Sequence, residues 1–414
     1  MATTYVILSM EGPDVYSRAG GLGVRVAELS QALAARGNET HLYFIGDPTL
    51  PVEDAPQDDL KWHRWCQWIS HYHPGGVYDG EWGKVEDYRR TMPSQVLHAH
   101  IKPAIMRGDR VVVLAEEWQT AETCISLRAL VDRDGSGRVL DILWNANNVY
   151  GFDRIDWPRL AAATTITTIS RWMKHMLASV GQQPLIIPNG IPKARLSSKP
   201  DPAQTAALAK AFGGGLGLVK FGRFDRDKRW LMAIDGVAEL KAMGRNPKLV
   251  MRGGVEPHGD EVRARIRARG LTFAVVASAP AGLAKAIADV RADVVELQFF
   301  ISDADRDALY AAAGAVLANS GREPFGLVGL EVMAVGGVAV TGATGEDYAL
   351  PFDNALTVDT DDGAELAAYL VRLQDMPEVG KKIRLRGIET AALFTWDHAI
   401  DILERKIEYV RLAR

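Results

Sequence analysis

The sequence predicts an α/β protein of two doubly wound domains facing a cleft. Three observations predict it. Short continuous apolar runs alternate with helical patterns, as expected of strands buried on both faces of a parallel sheet. The alternation runs twice, with a Pro/Ser/Ala-rich stretch containing LSSKPDPAQT between the two series. The length, 414 residues, also exceeds what one hydrophobic core usually organises.

In chain order, YVILSM at 5–10 is the first buried strand. Gly20-Gly21-Leu22-Gly23 then opens a helix, VRVAELSQALAARG, whose apolar residues recur at spacings of three and four and which stops at Gly37. HLYFIG at 41–46 is the second strand, which completes a βαβ unit with a glycine-rich first turn. That turn lacks the G-x-G-x-x-G spacing of a dinucleotide fingerprint. Residues 50–95 read as irregular. Trp62, Trp65, Trp68, Tyr72, Tyr78 and Trp82 crowd there. Aromatic rings stack on sugar faces, but Trp62, Trp65 and Trp68 at spacing three read better as one buried helix stripe.

Further strands fall at 111–115, leading to Glu116-Glu117-Trp118-Gln119-Thr120, and at 139–144, ending in Asn145-Ala146-Asn147-Asn148. Asp153 and Asp156 just beyond read as surface carboxylates rather than ligand contacts. TTITTIS at 164–170 is a β-branched strand and RWMKHMLASVG a helix. The second series has strands at 216–221, 248–253, 273–278, 294–302 and 337–342, with a short one feeding NSGREPFGLVGLEVMAVG at 319–336. There a tight polar loop meets a helix starting near Phe325. Gly326 and Gly329 admit a close backbone approach, and the free N–H groups of the helix start make an anion site. Glu323 in the loop and Glu331 about two turns down the helix suit a ligand with hydroxyls at both ends and phosphate in the middle. The last segment, 394–412, is an amphipathic helix. The expected domains are 1–190, 191–395 and the terminal helix 396–414.

Taken together, E-P-F-G-L-x-x-L-E-x-M-A resembles the E-x7-E signature of retaining glycosyltransferases of the GT-B fold, family 4 and the glycogen synthases in particular. The second strand series carries Gly222-Arg223 followed by Lys228, similar to that family's G-R-x4-K motif. LIIPNG at 185–190 looks like the hinge of such enzymes, and the glycine turn resembles their K-x-G-G-L-G loop, with Arg18 where the lysine would stand. Glu116–Thr120 resembles their H-D-W-Q-T segment, with Glu117 at the aspartate position. No histidine stands at the end of the 139–144 strand, where many relatives carry one.

The resemblance implies Rossmann-like domains with the C-terminal helix crossing back to the N-terminal domain, and catalysis by Glu323, Arg223 and Lys228. Donor contacts fall to Gly21, Gly23, Arg18, Glu331, Phe325, Gly326, Leu327 and Ile301, and acceptor contacts to Asn145, Asn147, Trp118, Gln119 and Glu117. It implies transfer of a hexosyl group, glucosyl by preference, from a nucleoside diphosphate sugar to a sugar or other hydroxyl acceptor, with retention and without metal or other cofactor. A disaccharide phosphorylase or trehalose-type synthase on the same scaffold, and a non-catalytic nucleotide-sugar-binding protein, are the alternatives.

Composition is that of a soluble globular chain, 47% hydrophobic and 24% charged. A net charge of −4 gives no general attraction to nucleic acid or anionic membrane. Arg263, Arg265, Arg267 and Arg269 read as a solvated helix face. Cys66 and Cys124 show no metal spacing and point to a reducing compartment. The N-terminus does not read as a signal peptide, and no apolar run approaches the roughly 20 residues that span a bilayer. A cytoplasmic protein without membrane insertion is expected.

Overall fold

A computed structural model describes residues 2–197, 199–342 and 345–413. The chain divides into two compact units, Met1–Pro192 with Trp396–Arg414, and Lys193–Thr395.

The first unit is built on eight strands: β1 (Thr3–Leu8), β2 (Thr40–Ile45), β3 (Glu53–Gln57), β4 (Leu60–Trp65), β5 (Arg110–Glu116), β6 (Leu140–Ala146), β7 (Thr165–Thr168) and β8 (Leu185–Ile186). Their order is β3-β4-β2-β1-β5-β6-β7-β8. All neighbours are parallel except the edge pair β3–β4. Residues of β1, β2 and β5 are almost wholly buried, as continuous apolar strands covered on both faces must be. The chain runs outward from β1 through β2 to β4, then returns to lay β5 on the other side of β1. The β1/β5 junction is therefore the topological switch point, where ligands sit against the C-terminal strand ends of doubly wound sheets.

Helix Trp396–Leu412 belongs to this unit. Its stripe of Trp396, Ala399, Ile400, Leu403 and Ile407 is buried among Ile7, Val26, Leu29, Leu33 and Leu114, about 1.5–3 kcal/mol for each large side chain removed from water. Trp396 Nε1 donates to Glu28 at 2.8 Å, and Arg411 Nε donates to Asp141 at 2.7 Å.

The second unit has seven parallel strands: β9 (Leu216–Phe221), β10 (Pro247–Arg252), β11 (Phe273–Val276), β12 (Val294–Leu297), β13 (Ala315–Ala318), β14 (Ala339–Thr341) and β15 (Leu356–Thr357). Their order is β11-β12-β10-β9-β13-β14-β15, with the switch point between β9 and β13. Its core gathers Leu218, Trp230, Ile234, Leu249, Met251, Leu317, Val340 and Leu366.

Two local expectations fail. Residues 50–95 are not irregular: they hold β3, β4 and helix Glu81–Val96. Trp62 and Trp65 lie on strand β4, where an odd separation places them on opposite faces, and Trp68 is 62% exposed, so no helix stripe forms. The helix of the glutamate motif starts at Leu327 rather than near Phe325, because Gly326 takes φ +78° and ends the loop there. Of the glycine loop 342–348, Ala343 and Thr344 lie outside the described residues, as does Ser198 in the join. No described helix is long and apolar enough to cross a membrane.

Candidate functional site

In the second unit the loops after β9 and β13 meet at the switch point. The β9 loop runs from Gly222 to Lys228. Phe224 anchors it by packing under the backbone of Gly253 and Gly259, where a Cβ would lie 2.0 and 2.7 Å from its ring. The Phe224 amide donates to Glu256 at 2.9 Å, and Trp230 Nε1 donates to the Arg223 carbonyl at 2.8 Å. The β13 loop is tied across to it: the Gly321 amide donates to the Asp227 carbonyl at 2.8 Å. These ties bring Lys228 Nζ to 2.8 Å from Glu323 Oε1, with both side chains about a quarter exposed, at 25% and 29%. The Arg223 side chain is exposed and has no ion-pair partner among the described residues. A lysine and an arginine thus stand at one strand end, with a carboxylate on the neighbouring one.

Beneath this pair lies a residue that the motifs do not include. Lys220, inside the apolar strand β9, is 2% exposed and donates to the Leu317 carbonyl at 3.0 Å and to Asn319 Oδ1 at 2.6 Å. Burial, with the Lys228 charge added, lowers its pKa to about 7. Its only sequence signal is a charge in an otherwise apolar strand.

Helix Leu327–Ala334 begins without a side-chain cap, so its first amides remain available to an anion. The Phe325 ring is buried against Tyr348 and Phe394 and so faces the core rather than the loop surface. Gly329 serves packing: a Cβ there would sit 2.3 Å from the Tyr348 hydroxyl, which donates to the Gly326 carbonyl. Glu331 is half-buried and lies 3.4 Å from Arg195, which also pairs with Asp307. Ile301 is half-buried beside Phe300, which is 83% exposed. A cavity of about 560 Å3 opens at the ends of β10 and β12, lined by Arg252, Gly253, Glu256, Arg263, Gln298 and Phe300.

The first unit's switch point differs. Glu11, in the loop after β1, turns its carboxylate onto the glycine turn. Its Oε2 accepts from the amides of Ala19 at 3.2 Å, Gly20 at 2.9 Å and Gly23 at 3.1 Å, and its Oε1 accepts from the Tyr78 hydroxyl at 2.7 Å. Of the two expected donor contacts in this turn, the Gly23 amide is therefore taken by the chain's own carboxylate, together with the amides of Ala19 and Gly20. Arg18 is exposed and donates to the Pro13 carbonyl at 2.9 Å.

Across the junction, the ends of β5 and β6 form one hydrogen-bonded cluster. Asn145 and Asn147 donate to Glu116 Oε2 at 2.8 and 2.7 Å, and the Asn147 amide donates to Glu117 Oε1 at 2.7 Å. Arg25 pairs with Glu116 at 3.3 Å and also binds Asn189. Glu117 is 5% exposed and sits at φ +67°, a strained backbone for a residue with a Cβ. Burial, with Glu116 and Glu11 nearby, raises its pKa to about 8. Gln119 donates to Glu81 at 3.0 Å, while its Oε1 and the Trp118 indole N–H are buried without a partner. Arg154 stacks on Trp118, Trp82 and Tyr150 at 4.5–5.3 Å from the ring centres. Asp156 caps a helix by accepting from the Arg159 amide, which is a structural role.

Glu11, Arg25, Arg154, Arg195 and Lys220 are therefore additions to the sequence reading. Among the described residues no group of three or more His, Cys, Asp or Glu stands together as a metal site.

Residues 213–390 match a family described as glycosyl transferases group 1. The chain is 27% identical over 414 residues to a D-inositol 3-phosphate glycosyltransferase of Frankia alni, covering 94% of this chain and 93% of that one. Among solved structures it resembles a sucrose-phosphate synthase from Thermosynechococcus elongatus, with TM-score 0.66, 19% identity and coverage of 100% and 99% of the two chains. It also resembles the catalytic domain of starch synthase IV from Arabidopsis thaliana bound to ADP and acarbose, with TM-score 0.67, 15% identity and the same coverage. These likenesses identify the fold as GT-B.

Proposed function

We propose, on the match of residues 213–390 to glycosyl transferases group 1, that the protein moves a hexosyl group, glucosyl by preference, from a nucleoside diphosphate sugar to a hydroxyl acceptor. Configuration is retained and no metal takes part. The observation that carries this reading is the Lys228–Glu323 pair at the second unit's switch point, beside an uncapped helix start.

The bond that breaks joins the anomeric carbon to the diphosphate, so negative charge grows on the leaving oxygen. Lys228, Arg223 and the amides at Leu327 neutralise it, and preorganised charge of this kind is usually the largest catalytic contribution. Those cations do the work for which other transferases use a divalent ion. Glu323 orients the sugar hydroxyls while its other oxygen holds Lys228 in place. Glu331, steadied by Arg195, accepts from the ribose hydroxyls, and the base lies toward Ile301 and the cavity beside Phe300. Attack from the leaving-group face gives retention, because Glu323 is already held by Lys228 and acts as a positioning group, not a nucleophile.

The first unit binds the acceptor. Glu116, Glu117, Asn145 and Asn147 offer a row of oxygens to a polyhydroxylated molecule, and the unpartnered Trp118 N–H and Gln119 Oε1 add one donor and one acceptor. The two buried, unbridged thiols fit a cytoplasmic setting.

Thermal unfolding in parallel UDP, ADP and GDP tests the donor reading. A ligand at about 100 times its Kd adds roughly 2.7 kcal/mol. The expected result is one base that raises Tm in the wild type and not in Arg223→Ala. Absence of any shift with all three nucleotides contradicts it. Proton NMR of the product then reads the anomeric configuration, and turnover unchanged by EDTA reads the metal.

A further inference from the structure

All strands of the first unit except β3 point the same way, so its switch point lies on one sheet edge and the strand beginnings lie on the other. On that far edge, at the starts of β5, β6 and β7, an open cavity of about 750 Å3 is lined by four arginines, Arg110, Arg128, Arg138 and Arg411, against two carboxylates, Asp132 and Asp141. The arginines come from four separate elements: the first residue of β5, helix Ala121–Asp134, the turn before β6 and the C-terminal helix.

Their charges are unevenly matched. Arg411 is 2.7 Å from Asp141. Arg128 donates to the Ala163 carbonyl at 3.2 Å and stands 3.6 Å from Asp132. Arg110 and Arg138 have no ion-pair partner among the described residues, and Arg110 Nε is sealed from solvent without a hydrogen bond. A buried guanidinium donor left unmade is costly, and a cavity with two surplus guanidinium groups is complementary to an anion.

We propose that this cavity is a second ligand site, distinct from the switch point, that takes a small phosphorylated metabolite. Guanidinium forks match the oxygens of a phosphoryl group two at a time, which favours phosphate over a lone halide or a single carboxylate. The volume falls in the range of small-molecule sites, so there is room for a carbon skeleton behind the phosphate.

Isothermal titration calorimetry on the full chain tests this, with inorganic phosphate, pyrophosphate and glycerol 3-phosphate as probes at millimolar concentration and matched ionic strength. The wild type binds at least one of them. Arg110→Gln/Arg138→Gln weakens that binding by about tenfold or more, and it does so equally in a Lys228→Ala background, where the donor site no longer contributes its lysine to anion binding. Arg138 is exposed, so Arg138→Gln alone decides the matter should the double variant fail to fold. Equal binding by wild type and the arginine variants overturns the proposal. So does loss of binding in Lys228→Ala, which would move the anion to the donor site, or failure of all three probes to bind the wild type.

Discussion

The two switch points are built by one topological rule and end in opposite states. In each unit the chain leaves a central strand, walks outward, and returns on the other side of that strand, and each junction joins a glycine-bearing loop to a helix start. At β9/β13 the helix start is uncapped, Lys228 pairs with Glu323 in the loop that leads to it, and Arg223 is exposed at the end of β9. At β1/β5 the corresponding amides already hold Glu11. The glycine spacing is thus compatible with an open anion site or a closed one, and a carboxylate elsewhere in the loop decides which.

The largest expected effect breaks the open side. Lys228→Ala or Glu323→Ala should lower kcat by about 100-fold or more, the scale for losing one preorganised group at developing charge. Asn147→Ala in the first unit should act mainly on the acceptor KM. Steady-state kinetics with both substrates varied separates the two, and a Lys228→Ala enzyme with near-wild-type kcat would remove the second unit from the chemistry.

A smaller effect opens the closed side. Glu11→Ala leaves three amides and the Tyr78 hydroxyl without their acceptor. A buried donor left unmade costs about 1–3 kcal/mol. Urea unfolding should show a loss of that order, and added phosphate should restore part of it by occupying the vacated cradle. If phosphate stabilises wild type and variant equally, the cradle is not an anion site.

Smaller again is Gly326→Ala. The residue sits at φ +78°, where a Cβ costs about 1–2 kcal/mol. Unfolding midpoints should fall accordingly, with kcat falling as the uncapped helix start shifts.

What the sequence made legible follows from these same particulars. The buried strands at 5–10, 111–115 and 216–221 were readable because a strand covered on both faces must be apolar throughout. β3 and β4 escaped because an edge hairpin carries Lys61, His63 and Arg64 among its aromatics, and spacing three mimics a helix. The PFGL…LEVMA context named a region where Lys228 and Glu323 do meet, since both loops issue from adjacent strand ends. Glu11 was illegible because its function depends on a loop folding back over residues 8–12 positions away. Lys220 and Arg195 were illegible for a related reason: their partners, Asn319 and Glu331, are about a hundred residues or more further along the chain.

Each switch point also buries one ionisable group held toward its neutral form, and the two have opposite signs. Glu117 is raised to about 8, chiefly by burial, so the stability associated with its neutral form is complete below its unfolded value and is lost as pH rises through 8. Lys220 is lowered to about 7, also by burial, so its contribution is complete above its unfolded value and is lost as pH falls through 7. The first unit has an acid-sensitive element of its own. His41, His63 and His100 stack within a buried cluster, with His63 lowered to about 4 and His100 to about 3, so protonation as pH falls below their unfolded value opposes the fold. Comparing unfolding free energies at about pH 6 and about pH 9 should therefore show Glu117→Gln gaining on the wild type at the higher pH, and Lys220→Met gaining on it at the lower. Parallel pH profiles for wild type and Glu117→Gln would mean that Glu117 is ionised in the folded protein. In that case a further buried carboxylate would stand beside the Arg25–Glu116 pair, and the first unit's switch point would be built to receive a cationic group rather than a neutral polyol.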